Sequence, residues 1–264
     1  MAAETDQMRA WRLRGRALFD GVADRYRAFR RGYPPDSVLF IIDTAQLGPG
    51  RPVLEVGCGT GQLTGELAAY GLDVTAIDIG AGMITAAKRS LSGPPVRFQV
   101  VSFEELDAPD ASFDLIISAT AFHWVDPEVK FAKSTRLLKA GGWLALLSTE
   151  ERYDDPLGSE LRAMWLARSE QGEVWTRPRT PTAADLTGAA GWFGPPIERS
   201  HEQRIVLPAQ TVIGVETTRA IFLSWPEHTQ QDFADDLRRH LKHGADVHLT
   251  QQTWLAMAQV LPRA

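Results

Sequence analysis

The sequence predicts an α/β protein built on a mostly parallel β-sheet with helices on both faces. Between residues 53 and 147, short apolar segments alternate with amphipathic helical segments. A glycine-rich turn joins the first apolar segment to a helix. Hydrophobic residues make up 44% of the 264 residues, which is ample for a large core. Continuously apolar strands separated by helices are typical of a parallel sheet that is covered on both sides.

The N-terminal segment predicts two helices before the first strand. Residues 8–31 form the first, and the Gly-Tyr-Pro-Pro sequence at 32–35 ends it. Residues 36–46 form the second, which the Leu-Gly-Pro-Gly sequence at 47–50 closes. The apolar positions of the first helix recur at spacings of four, four and three: Leu18, Val22, Tyr26 and Phe29.

Strands and helices then alternate as far as residue 147. The predicted strands are 53–56, 74–77, 96–101, 113–118 and 143–147. The predicted helices between them are 62–70, 81–91 and 127–138. After residue 150 this rhythm stops, and the remaining elements are a strand at 197–207, helices at 209–224 and 229–242, and an extended segment at 247–258. The expected sheet therefore has seven strands.

We expect a single domain over residues 1–264 that consists of a core and a lid. The core comprises about residues 36–150 and 197–264. The lid comprises about residues 1–35 and an insertion after the fifth strand, 151–196, in which tryptophans stand among glycines and prolines.

Composition narrows the functional classes. The formal charge of −5 and the pI near 5.7 disfavour whole-chain binding to nucleic acid or an anionic membrane. Cys58 is the single cysteine, which excludes an intramolecular disulfide and fits a reducing cytoplasm. The N-terminus lacks an apolar signal core, and no apolar run approaches ~18 residues. We expect a cytoplasmic monomer or homodimer with a small-molecule substrate, no nucleic-acid or membrane partner and no metal.

The most informative motif follows the first strand. Glu55 stands near the end of the strand, and Gly57, Gly59 and Gly61 alternate after it. Glycines permit positive φ and let a ligand touch the backbone, while the following helix offers free N–H groups. A dinucleotide fingerprint, G-x-G-x-x-G, requires a glycine where Gln62 stands, so the spacing disfavours NAD(P). The loop indicates a nucleoside ligand at the carboxyl edge of the sheet.

The E-x-G-x-G-x-G pattern resembles the first motif of class I S-adenosylmethionine-dependent methyltransferases. Residues 113–127 and 137–146 resemble later motifs of that family. With Tyr26, Arg30 and the Gly-Tyr-Pro sequence at 32–34, the chain is similar to the small-molecule subgroup that includes trans-aconitate methyltransferase. The resemblance covers about residues 18–150. It implies a Rossmann-like, seven-stranded, mostly parallel sheet, with S-adenosyl-L-methionine as methyl donor and S-adenosyl-L-homocysteine as product.

The resemblance also implies a set of cofactor contacts. Asp78 stands at the tip of the second strand, 21 residues after Gly57, where a carboxylate can accept both ribose hydroxyls; the alternative is a helix N-cap. Ser102 and the two residues after it are expected beside the adenine, although many relatives have Asp in place of Ser102. The expected cofactor-binding residues are Tyr26, Arg30, Tyr33, Glu55, Gly57, Cys58, Gly59, Gly61, Asp78, Ile79, Met83, Ser102, Phe103, Glu104, Ala119, Thr120 and His123.

Catalysis and acceptor binding are less well specified. His123 is the candidate general base, because imidazole titrates near neutral pH; the alternative is a structural residue that wedges the loop beside Trp124. Arg30 is expected to pair with the methionine carboxylate, and an aromatic ring to cover the sulfonium. The expected substrate contacts are Trp124, Trp165, Trp175 and Trp225. Arg177, Arg179, His201 and Arg204 are candidates for binding an anionic acceptor, or are surface residues.

The sequence thus predicts methyl transfer to a small molecule, with oxygen favoured as the acceptor atom and carbon or nitrogen possible. Two alternatives stay open. A protein of this fold can bind the cofactor and carry out other chemistry, such as cyclisation. An NAD(P)-dependent oxidoreductase is the other alternative, and the glycine spacing argues against it.

Overall fold

A computed structural model describes residues 4–91, 93, 96–168, 183–189, 191–241 and 244–262. Its N-terminal segment contains helices α1 (Asp6–Gly15), α2 (Ala23–Phe29) and α3 (Pro35–Thr44), with a 3₁₀ turn at Asp20–Val22. The prediction of one continuous helix over 8–31 is therefore wrong. The chain bends after Gly15, which lies so close to Trp124 that a Cβ there would be 2.6 Å from the indole.

The sheet has seven strands in the order β3-β2-β1-β4-β5-β7-β6. β7 is antiparallel to both of its neighbours, and the pairs from β3 to β5 are parallel. This arrangement confirms the predicted fold class. The strands are β1 (Pro52–Val56), β2 (Asp73–Asp78), β3 (Arg97–Val100), β4 (Phe113–Ala119), β5 (Leu138–Tyr153), β6 (Ile197–Pro208) and β7 (Asp246–Gln259).

β5 is much longer than the predicted 143–147. It continues to Tyr153 because β7 pairs with it from Trp143 onward, through eleven residue pairs. The extension, residues 148–153, is polar and charged. It therefore lacks the apolar pattern that predicts a strand. The antiparallel partner supplies the backbone hydrogen bonds that stabilise it.

In the part of the chain that the structure describes, eight further helices connect the strands. The predicted helix at 209–224 is divided in two, because Thr217 and Thr218 turn their hydroxyls back onto carbonyls of the preceding turn. The helices are α4 (Gln62–Ala69), α5 (Ala81–Ser90), α6 (Lys130–Leu137), α7 (Leu157–Arg168), α8 (Ala183–Gly188), α9 (Ala209–Glu216), α10 (Ala220–Ser224) and α11 (Glu227–His240). Among the described residues, no helix has the length and apolar character needed to span a membrane.

Two hydrophobic cores cover the two faces of the sheet. Neighbouring residues of β4 point to opposite sides, so that Ile116 belongs to one core and Leu115 and Ile117 to the other. A third cluster lies between α7, α10 and α11 and contains Trp225 and Phe233. This packing leaves open the carboxyl edge of β1, β2 and β4, where the strand order reverses direction. Open α/β sheets bind their ligands at such an edge.

Glu55 is a buried carboxyl group on β1, directly below the glycine loop. Its side chain accepts a hydrogen bond of 2.6 Å from the hydroxyl of Thr64, in the first turn of α4. Burial raises the pKa of Glu55 from its usual 4.5 to about 8, and the Thr64 hydrogen bond opposes this shift. The group is therefore mostly protonated at neutral pH.

The Glu55 pKa predicts a pH dependence of stability. Between pH ~4.5 and ~8 the folded protein binds this proton and the unfolded chain does not, so the free energy of unfolding falls as pH rises in that window. Glu55→Gln removes this dependence. We expect the stability of the wild type relative to Glu55→Gln to fall by up to about 1.4 kcal/mol per pH unit, and to level off above pH ~8.

Urea unfolding at several pH values across this window measures the difference. Glu198→Gln is the matched control, because Glu198 is exposed on β6 and its replacement leaves the slope as in the wild type. A constant difference between the wild type and Glu55→Gln would contradict the raised pKa.

Candidate functional site

The glycine loop adopts a backbone that only glycines accommodate readily. Gly57, Gly59 and Gly61 have φ angles of 72°, 54° and 84°. A Cβ on Gly57 would lie 2.4 Å from the Cβ of Ala121, in the loop after β4. Gly61 is the N-cap residue of α4. The loop is thus a close-fitting backbone turn at the start of a helix, as its spacing predicts.

Asp78 connects the glycine loop to the end of β2. Its two carboxylate oxygens accept hydrogen bonds of 2.9 Å from the backbone N–H groups of Gly59 and Gly80. Burial raises the pKa of Asp78, while these two hydrogen bonds oppose the shift. Each oxygen retains further acceptor capacity, because a carboxylate oxygen can accept more than one donor.

Asp20 is a residue of this site that sequence reasoning missed. Its carboxylate accepts a 2.6 Å hydrogen bond from the N–H of Gly82, in the first turn of α5. Asp20, and not Asp78, therefore satisfies an amide within that turn, where negative charge is favourable. The two residues are 62 positions apart, so no local pattern indicates the contact.

A cleft of about 780 Å³ lies at the carboxyl ends of β1, β2 and β4. It is lined by ten of the residues expected to contact the cofactor: Tyr26, Gly57, Gly59, Asp78, Ile79, Met83, Phe103, Glu104, Ala119 and Thr120. Arg16, Phe19 and Asp20 cover it from the N-terminal segment, and Trp124 also lines it. We call this space the first cavity.

The N-terminal segment is held over the first cavity by ion pairs. The buried guanidinium of Arg12 lies 2.8 Å from Glu4, 3.3 Å from Asp126 and 3.8 Å from Glu104. Arg16 lies 3.1 Å from the same oxygen of Glu104. The first half of the predicted lid thus contacts the loops after β3 and β4.

A second cavity of about 590 Å³ adjoins the first. The two cavities share Tyr26, Gly57, Gly59, Ala119 and Thr120 as lining residues. Four more of the expected cofactor residues line the second cavity: Arg30, Tyr33, Glu55 and Cys58. Its remaining wall includes Thr149 and Glu151 on β5 and Gln251 on β7, which sequence reasoning missed.

Four side chains lie at or beside the junction of the cavities. The hydroxyl groups of Tyr33 and Thr120 lie 3.3 Å apart. The guanidinium carbon of Arg30 lies 5.4 Å from the ring centroid of Tyr26. Burial raises the pKa of both tyrosines, so their hydroxyls stay protonated near neutral pH.

Some expected residues lie beside the cavities rather than in their described linings. Ser102 uses its hydroxyl within the loop after β3, where it donates to the Glu105 carboxylate over 2.8 Å and accepts from the Glu105 N–H. Gly61 caps α4. His123 lies in a 3₁₀ turn at Phe122–Trp124, and its ring centroid is 4.7 Å from that of Trp124. Trp124, in the same turn, lines the first cavity.

The remaining expected acceptor contacts are distributed over the rest of the fold. Trp165 and Trp225 pack on each other and on Phe233 in the third hydrophobic cluster, outside the described linings of both cavities. On the edge strand β6, His201 is half-buried and Arg204 is exposed. Trp175, Arg177 and Arg179 lie outside the described residues. Within the described ranges, no cluster of three or more His, Cys, Asp or Glu residues could hold a metal ion.

Comparison with known proteins agrees with this geometry. A family model described as "Methyltransferase domain" matches residues 54–146, which include the glycine loop, Asp78 and the loop after β4. An uncharacterized methyltransferase of Mycobacterium tuberculosis is 29% identical over 224 residues, 84% of this chain and 85% of its own length. A malonyl-[acyl-carrier protein] O-methyltransferase of Anoxybacillus flavithermus is 38% identical over 104 residues, 38% of this chain and 39% of its own.

A solved structure also has the same fold. A protein of Anaeromyxobacter dehalogenans assigned as a type II methyltransferase superposes with a TM-score of 0.60 at 25% identity. The match covers 89% of this chain and all of that one. The resemblance to the trans-aconitate subgroup stays a prediction. The motif, the fold and these similarities support a class I S-adenosylmethionine-dependent methyltransferase.

Proposed function

We propose that this enzyme transfers the methyl group of S-adenosylmethionine to a small-molecule acceptor bound in the second cavity. The observation that carries the proposal is the junction of the two cavities at Tyr26, Gly57 and Thr120. A cofactor that spans the junction would present its methyl group to an acceptor on the other side. Alignment and exclusion of water are what an in-line methyl transfer chiefly requires.

The residues present fit the cofactor. Ile79, Met83 and Phe103 supply an apolar surface for a planar base, and the Asp78 carboxylate supplies acceptors for ribose hydroxyls. The tight loop around Gly57 lets a ligand approach the backbone. When bound, S-adenosylmethionine supplies a methyl group on a positively charged sulfur.

Arg30 and Tyr26 serve the methionine end in this proposal. Arg30 lines the second cavity beside the glycine loop, where its guanidinium can pair with the methionine carboxylate. The Tyr26 ring lies at the junction, where its face can lie against the sulfonium. The N-terminal segment that carries these residues is the proposed lid, and its ion pairs with Glu104 and Asp126 hold it closed.

The size of the second cavity supports a small acceptor. It is smaller than the first cavity and adjoins the proposed cofactor site. We retain oxygen as the favoured acceptor atom, with carbon or nitrogen possible. The similarity to an O-methyltransferase supports this choice.

Calorimetry with S-adenosylmethionine, followed by measurement of S-adenosylhomocysteine release with a panel of small acceptors, tests the proposal. We expect tight cofactor binding and acceptor-dependent release, with NMR of the product identifying the methylated atom. Failure to bind the cofactor would refute the assignment of the first cavity. Binding without release would instead favour other chemistry on this fold.

Asp78→Ala tests the proposed ribose contact. The substitution removes the acceptors for the ribose hydroxyls and for the Gly59 N–H, so we expect S-adenosylmethionine binding to weaken by about 1–3 kcal/mol. Calorimetry measures the change. Asp73→Ala is the matched control, because Asp73 lies at the other end of β2 and pairs with the exposed Arg97. Equal affinities for Asp78→Ala and the wild type would exclude the contact.

His123→Ala tests the proposed general base. A base would contribute about 10²–10⁴ to kcat. Because the described linings of both cavities omit His123, we expect kcat to change by less than about tenfold, with the loss arising from packing against Trp124. Turnover with the identified acceptor measures the effect, and His248→Ala, at an exposed position of β7, is the control. A loss of a hundredfold or more would restore His123 as the base.

A further inference from the structure

The far wall of the second cavity is a polar surface on the antiparallel pair of β5 and β7. Thr149 and Glu151 are two residues apart on β5 and so point to the same face. Gln251 of β7 is the direct partner of Glu151 in the register. All three line the second cavity, on the opposite side of β4 from the glycine loop. This wall is therefore placed to contact an acceptor.

A buried network behind the wall holds Glu151 in place. Arg219 lies 3.4 Å from the Glu151 carboxylate. The guanidinium makes its closer hydrogen bonds, of 2.8 and 2.7 Å, to both oxygens of Glu216. Tyr153 and Trp165 also donate to Glu216, over 2.7 and 3.0 Å. Burial opposes ionisation of Glu216, but Arg219 and these hydrogen bonds lower its pKa.

Glu151 and Glu216 therefore differ in what they can still bind. Glu216 accepts four hydrogen bonds and its side chain is 2% exposed. Glu151 is 10% exposed and lines the cavity, and among the described residues Arg219 is its one hydrogen-bond donor, at 3.4 Å. Because a carboxylate offers about four lone-pair sites, Glu151 retains acceptor capacity toward the cavity.

With the cofactor bound as proposed, the other charged groups in the described lining leave the Glu151 charge unbalanced. Glu55 is mostly protonated at neutral pH, because burial raises its pKa to about 8. The Arg30 guanidinium donates to the hydroxyl of Thr218 over 3.1 Å, next to Arg219, and in the proposed function the methionine carboxylate balances its charge. Arg31 is exposed. An anionic group placed against the wall would meet the Glu151 charge, whereas an ammonium group would donate to it.

We propose that Glu151 binds a basic nitrogen of the methyl acceptor, and that the substrates of this enzyme are amine-bearing small molecules. The inference rests on the proposed function, because it takes the second cavity as the acceptor site. Glu151 accepts from the ammonium group, Gln251 and Thr149 supply uncharged polar contacts, and Arg219 positions the carboxylate. Glu151 thereby determines specificity through charge, whichever atom of the acceptor receives the methyl group.

Binding of matched probes to the S-adenosylhomocysteine-loaded enzyme tests this proposal. The probes are phenethylamine, tyramine and 5-aminopentanol, each beside its N-acetyl derivative and the carboxylic acid of similar length. Saturation-transfer NMR titrations give the dissociation constants. We expect each amine to bind at least tenfold more tightly than its N-acetyl derivative and than the matching carboxylic acid. Glu151→Gln should abolish that preference.

Two variants control for the fold and for general electrostatics. Glu150→Gln changes the neighbouring residue of β5, which is exposed and points to the opposite face, and should keep the amine preference. Glu151→Asp withdraws the carboxylate while keeping its charge, and should reduce the preference without abolishing it. Thermal unfolding of each variant shows whether the network around Arg219 is intact.

Three outcomes would overturn the proposal: a preference for the carboxylates, no preference, or no binding of any amine at millimolar concentrations.

Calorimetry distinguishes the proposed role of Glu151 in acceptor binding from a role in cofactor binding. If Glu151→Gln weakens S-adenosylmethionine binding and leaves S-adenosylhomocysteine binding unchanged, the carboxylate serves the sulfonium charge and the proposal fails. If the wild type binds neither cofactor, the proposed function fails instead.

Discussion

The site depends on the hydrogen bonds that the Asp78 carboxylate accepts from Gly59 and Gly80. They join the turn after β1 to the turn after β2, and so place two strand ends at a common edge. The positive φ angles of the loop keep its backbone free of side chains at that edge. The N-terminal segment reaches the same corner of the first cavity through Asp20.

A second polar network organises the other half of the molecule. Glu216 and Arg219, at the α9–α10 junction, hold Glu151 of the extended β5. The network is buried, so its charges are paired or hydrogen-bonded, as burial demands. It connects the third hydrophobic cluster to the second cavity through Trp165, whose indole N–H donates to Glu216. The tryptophan that the sequence suggested as a substrate contact thus lies behind the wall of the second cavity.

Local patterns predicted the cofactor half of the fold well. The strands around the glycine loop and the position of Asp78 follow from continuous apolar runs and from turn residues that are close together in the chain. The same reasoning failed for the helix at 8–31 and for the length of β5. The predicted helix is interrupted where Gly15 packs against Trp124. Strand β5 is extended by its pairing with β7. Both are effects of residues about a hundred positions away.

The sequence by itself determined the fold class and the glycine loop, because these depend on spacings within a few residues of each other. Its resemblance to a known family indicated the methyl donor. Tertiary structure alone decided which polar groups meet around the second cavity. Thr149 and Glu151 come from β5 and Gln251 from β7, and the register of those strands sets them side by side. Arg12 and Asp20 likewise acquire their partners only when the N-terminal segment folds over the sheet edge. Long-range contacts of this kind leave no local pattern in the chain.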